Sequence, residues 1–168
     1  MDSKMSVTDK VYMEAGKGFR DDLKMNGHFK ALLIGPDGEI KDSREVHNTV
    51  TVLGHKMSAD QLLASPAVAK PGWMEVGTGT GQTAASTKLA TYIAGSRTAL
   101  DSKTRGANAI ITMVCTMGAG VGTGAITEAG IFNIVTEDTT DLLCYSDFAV
   151  VNKGASDSLV ITWTLTFA

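Results

Sequence analysis

Lysine and arginine are nearly missing from the last third of this 168-residue chain, where Lys153 alone stands against Glu128, Glu137, Asp138, Asp141, Asp147 and Asp157. The first 105 residues hold 14 of the 15 basic groups and 12 of the 18 acidic ones, a balance of +2 against −5 for the remainder. An acidic half has no counterion-release attraction to phosphate, and the basic groups of the N-terminal half are mixed with acids rather than clustered, so nucleic acid is not an expected partner. Apolar runs long enough to cross a bilayer are lacking, as is a signal-peptide core behind Met1-Asp-Ser-Lys. The expectation is a chain kept soluble in the cytoplasm where it is made, with no membrane partner. Cysteine is scarce: Cys115 and Cys144 each sit in an apolar stretch with no C-x-x-C or histidine-rich context, which reads as two buried free thiols, with a disulfide the lesser alternative. Aromatics make up 6% of residues, too few to provision a broad carbohydrate platform, and there are only 3 prolines.

Glycine, by contrast, occurs 18 times. With charged residues at 20% and apolar ones at 43%, this is a turn-rich globular composition long enough for one core, and it points to an all-β fold. The first 26 residues, with scattered Val7, Val11, Tyr12, Phe19 and Leu23 and the breakers Gly16 and Gly18, read as an extended N-terminal attachment arm docking on a neighbouring subunit. Residues 27–168 read as one β-sandwich or jelly-roll domain. Phe29 to Ile34, Pro36-Asp-Gly38 and Glu39 to Val52 spell strand, turn, strand. Ser58 is a candidate N-cap for one short helix over Ala59 to Ala64, with Pro66 beyond. Further strands are expected at Trp73 to Thr78, Ala109 to Met117, Leu142 to Val151 and Ser158 to Phe167, and Arg97 to Thr104 alternates weakly. The last alternates Leu159, Ile161, Trp163, Leu165 and Phe167 against Ser, Val and Thr, so one of its faces is core.

Few residues offer chemistry. Gly77-Thr-Gly-Thr-Gly81 and Gly118 to Gly124 invite a phosphate-loop reading but lack the lysine of a P-loop, the third glycine of a dinucleotide loop and a βαβ setting; they read as turns or bends needing φ > 0. Glu128 is a lone carboxylate in an apolar run, with only Thr127 and Asn133 nearby as partners for acid–base work. A framework role, accepting from backbone N–H groups or from an arginine such as Arg97, is the stronger reading. Ser43, Ser86, Ser102 and Ser146 have no nucleophile elbow, and His28, His47 and His55 stand in no triad order. Trp73 is open to ligand stacking, whereas Trp163 is core. No catalytic, cofactor-binding or metal site is assigned, no cofactor is expected, and an enzyme is not.

His47-Asn-Thr-Val50, Val76-Gly-Thr-Gly-Thr80, Arg97, Gly120 to Asn133 (containing Ile-Thr-Glu-Ala-Gly) and Val151-Asn-Lys-Gly-Ala-Ser-Asp-Ser-Leu159 together resemble a β-sandwich module of tailed-bacteriophage virion proteins. The resemblance implies a non-enzymatic virion structural protein, similar to capsid cement (decoration) subunits, with tail-fibre or baseplate host-binding modules as the alternative. It implies as partners the major capsid protein and neighbouring copies. Two exposed sheet edges would favour closure into a homo-trimer on the capsid, with the acidic C-terminal half facing outward from the genome.

Overall fold

The computed structural model describes residues 24–167. The body opens at β1 (Met25–Ile34), so the first strand begins at Met25 rather than at the expected Phe29, and residues 1–23 of the expected arm lie outside the described residues. The other elements, in chain order, are β2 (Ile40–Val50), α1 (Val52–Asp60), β3 (Trp73–Gly77), β4 (Thr98–Ala99), β5 (Ser102–Arg105), β6 (Ile110–Met117), β7 (Gly124–Phe132), β8 (Leu142–Lys153) and β9 (Ser158–Phe167). The nine strands form one curled, wholly antiparallel sheet in the order β4-β3-β7-β8-β2-β1-β9-β6-β5. This meets the all-β, sandwich-class expectation with its one short helix.

Alternation along the strands explains the layering, because successive side chains of a strand point to opposite faces. In β9, Leu159, Ile161, Trp163 and Leu165 are buried while the intervening Val and Thr residues are half-exposed. Phe29 and Met113 sit opposite Trp163 on its two neighbours, so one row of large side chains crosses three strands. Phe148, from β8 on the facing layer, stacks on Phe29 with ring centroids 4.8 Å apart, and Trp163 meets Phe29 edge-on at 5.1 Å. Two corners fold the sheet on itself. Strand β2 pairs with β1 along most of its length and passes to β8 only through Thr49 and Val50. At the opposite corner, Thr98–Ala99 pairs with β3 and Ser102–Arg105 with β6, so a single stretch of chain bridges the two ends of the sheet. The two open edges from which ring closure was expected are therefore consecutive segments of one stretch. Of these, β5 is short, fully exposed and carries Lys103 and Arg105, a charged edge that resists pairing.

The hairpin forms as expected, with Gly38 at φ 86° in the turn, a backbone conformation glycine adopts without steric cost. The helix does not. It starts at Val52 under Thr51, whose hydroxyl accepts from Gly54 N–H at 3.1 Å, and Ser58 lies inside it, donating to Gly54 O. Strand β8 decides this: Thr51 Oγ1 is held by the Leu142 and Leu143 carbonyls at 2.6 and 3.0 Å, and Thr51 N–H donates to Leu143 O, so the chain turns off the sheet at Thr51. The expected helix over Ala59 to Ala64 is instead turn and bend beyond Asp60, leaving Leu62 and Leu63 exposed.

Candidate functional site

Strands β7 and β8 differ from the others in having five consecutive buried residues each, Glu128–Phe132 and Leu142–Ser146. Such runs mean both faces of the sheet are covered. The inner face packs into the main core. The outer face lies under residues 78–97, where Leu89 and Tyr92 join Phe132, Leu142, Tyr145 and Trp73 in a second apolar cluster.

Carboxylates pin this overlying loop. Glu128 is fully buried, and its oxygens accept from the backbone N–H groups of Gly79 (2.9 Å), Thr91 (2.8 Å) and Ala90 (3.0 Å) and from Gln82 Nε2 (3.1 Å). Repeated loop N–H groups thus cradle an anion, but that anion is the protein's own side chain. Gly77 and Gly79 admit both this carboxylate and the loop above it: a Cβ on Gly77 would stand 2.4 Å from Thr91 O and 2.5 Å from Glu128 Oε1, and one on Gly79 would stand 2.5 Å from both Ala90 Cβ and Glu128 Oε1. Positive φ, expected of both glycine runs, holds at Gly81 and at Gly120, Gly122 and Gly124, but not at Gly77, Gly79 or Gly118. Asp147 accepts from Gly81 and Gln82 N–H, and Tyr145 Oη donates to Gln82 O at 2.8 Å. Thr127, considered above as a partner for Glu128, instead donates to Gly79 O at 2.7 Å.

Arg97 anchors the loop's far end and does not reach Glu128. Its guanidinium, 2% exposed, bonds Glu75 Oε2 at 3.1 Å, Asp141 Oδ2 at 3.2 Å and Ile134 O at 2.7 Å, and lies 3.6 Å over the Phe132 ring. Glu137 accepts from the N–H groups of Gly95 and Arg97. Burial pushes the Glu75 carboxyl above its ordinary range, and Arg97 only partly offsets that. A third node closes the β8–β9 turn. There, Lys153 Nζ donates to Gly118 O and Asp157 O at 2.9 and 2.7 Å, while Asp157 accepts both from Lys41 and from Gly154 N–H. Lys41, and next the Gly154 N–H, hold Asp157 below the usual carboxylate range, whereas desolvation lowers Lys153.

These contacts draw most of the acidic groups of the C-terminal half into the fold. Glu128, Asp141 and Asp157 are buried, Glu137 and Asp147 half-buried, and only Asp138 is exposed among the six. The charges were legible, but their consumption by backbone N–H groups of distant loops was not. Elsewhere, Trp163 is core as expected, and Trp73 is half-buried against the second cluster. Cys115 and Cys144 are buried and free, each thiol pushed up to about 12 by desolvation. His28 pairs with Glu45 at 3.0 Å on the exposed β1–β2 face, with His47 edge-on to it. Among the described residues, no set of three or more His, Cys, Asp or Glu is placed to hold a metal, and no helix is long and apolar enough to cross a membrane.

A cavity of about 460 Å³ separates α1 from the ends of β6 and β9. Met57, Ile111, Leu165 and Phe167 give it apolar walls, and Lys70 and Lys103 stand at its rim. No reactive pair faces it; what it can do is take up apolar side chains flanked by negative charge. Comparison with protein-family models, curated proteins and solved structures gives no match to this chain.

Proposed function

We propose that the protein is a non-enzymatic virion structural protein of a tailed bacteriophage, a capsid cement subunit that binds the assembled major capsid shell. One observation carries the reading. The segments through which the sequence resembles virion modules bond to one another as framework: Gly79 of the Val76 to Thr80 run donates to Glu128 of the Ile-Thr-Glu-Ala-Gly segment, and Lys153 of the Asn-Lys-Gly run pairs across the sheet with Gly124 of the Gly120 to Asn133 segment. Their buried polar groups are spent on bracing rather than presented to a substrate. A ligand that binds only the assembled state stabilises it by RT ln(1 + [L]/Kd), about 2.7 kcal/mol per site at one hundred times Kd. We place the subunits as homo-trimers on local threefold axes of the shell, because closed symmetry limits association without leaving a propagating contact.

Mass spectrometry of heads and tails, separated from particles of the phage that encodes this chain, tests the location. Recovery with tail-less heads in stoichiometric amount is the expected result. Recovery with tails alone overturns it in favour of a tail-fibre or baseplate module. Density at the head surface with any multiplicity other than three removes the trimer.

A further inference from the structure

The cleft between α1 and the ends of β6 and β9 opens beside the start of the body. Met25, the first residue of β1, is paired with Phe167, which lines the cleft, and the two side chains share one face of the sheet. Met25 packs against the edge of the main core, so the described chain begins beside a residue of the cleft wall. The preceding sequence reads Phe19-Arg-Asp-Asp-Leu23 just before Lys24. Residues four apart lie on one side of both a helix and a strand, so Phe19 and Leu23 can face the same surface in either conformation. Six extended residues reach roughly 20 Å from Met25, ample for both apolar side chains to enter a cavity adjoining it. Asp21 and Asp22 against Arg20 leave this segment a net charge of −1, opposite to that of Lys70 and Lys103 in the cleft lining.

We propose that this cleft is a docking site for residues 19–23 of the same chain, with Phe19 and Leu23 in the apolar floor and the two aspartates against the lysines. Covalent attachment favours this occupant, because a short tether holds its segment at an effective concentration on the order of millimolar. The proposal concerns the isolated protein and stands apart from the virion reading.

Trypsin cleavage after Arg20, followed by mass spectrometry on the full chain, provides the test. Ser58→Trp places an indole in the cleft wall, and Lys70→Glu reverses one rim charge; far-UV circular dichroism establishes that each variant is folded. Docking nine-tenths of the time slows cleavage about tenfold relative to Ser58→Trp, because the segment must leave the cleft before it is cut. Lys70→Glu is expected to accelerate cleavage as well. Equal rates in all three proteins overturn the proposal. A cysteine pair, Arg20→Cys with Gln61→Cys, serves as an independent measurement, since a disulfide needs Cα atoms within about 7 Å. An intramolecular disulfide supports docking within one chain, whereas exclusively intermolecular disulfides, or none, overturn it.

Discussion

Glu128 takes four hydrogen bonds, joining β7 to loop positions as distant as Gly79 and Thr91. Its worth lies in satisfying donors that would otherwise be buried without partners. Glu128→Gln turns an amide NH₂ toward at least one of those N–H groups and is expected to destabilise the fold by about 1–3 kcal/mol, the cost of leaving a buried donor unsatisfied. Urea denaturation measures it, and an unchanged midpoint would mean the loop is held by its apolar contacts alone. At Asp157 the effect of pH has a definite sign. Its carboxyl is held below its ordinary 3.8 chiefly by Lys41, so the stability it contributes is present above that value and is lost as pH falls through the lower folded-state value. Lys41→Met should move the Asp157 titration, followed by NMR, upward toward 3.8 and reduce that acid-side loss. An unmoved titration would assign the shift to the Gly154 N–H.

Among the elements, α1 is governed by a contact its own sequence does not display. A Ser ahead of Ala-Asp-Gln-Leu-Leu is a sound start signal taken alone, but Thr51 meets two β8 carbonyls where the chain leaves the sheet, and the helix begins there. Thr51→Ala is expected to cost about 0.5–2 kcal/mol through loss of the cap, with Ser58→Ala closer to neutral. Thermal unfolding of the two variants measures the order, which the Ser58 cap would reverse. Strands β1, β6, β8 and β9 were legible to within a few residues because alternation of buried and exposed side chains is a local property of the chain. Segments β4 and β5 showed only as a weak alternation over Arg97 to Thr104, since Thr98 to Arg105 becomes strand by bridging β3 and β6. A second nonlocal feature is the register shift between Ile126 and Glu128 in the β7–β8 pair. There the Ala149 and Val150 carbonyls accept from the Arg44 guanidinium at 2.9 and 2.7 Å, which keeps their polar groups satisfied.

For the molecule as a whole, folding one sheet upon itself makes a single row of side chains its keystone. Trp163 is fully buried between Phe29 and Met113, and Phe148 reaches the same row from the facing layer. Trp163→Ala is expected to cost about 3–5 kcal/mol, the range for a large aromatic truncated in a packed core. Chemical denaturation checks this; a loss below about 1 kcal/mol would be characteristic of a surface position rather than one bridging the two layers.

The sequence by itself determined the strand faces, the main hairpin, the burial of Cys115, Cys144 and Trp163, and the absence of a P-loop or dinucleotide-loop pattern. Each follows from composition or from the two-residue period of a strand, which neighbouring residues carry among themselves. Only the tertiary structure decided that Glu128 would take its hydrogen bonds from Gly79, Gln82, Ala90 and Thr91, that Arg97 would pair with Glu75 and Asp141, and that the acidic C-terminal half would be largely withdrawn from solvent. A charge announces itself in the sequence, but its partner is chosen by which loop crosses above it, and that depends on how distant strands curl the sheet.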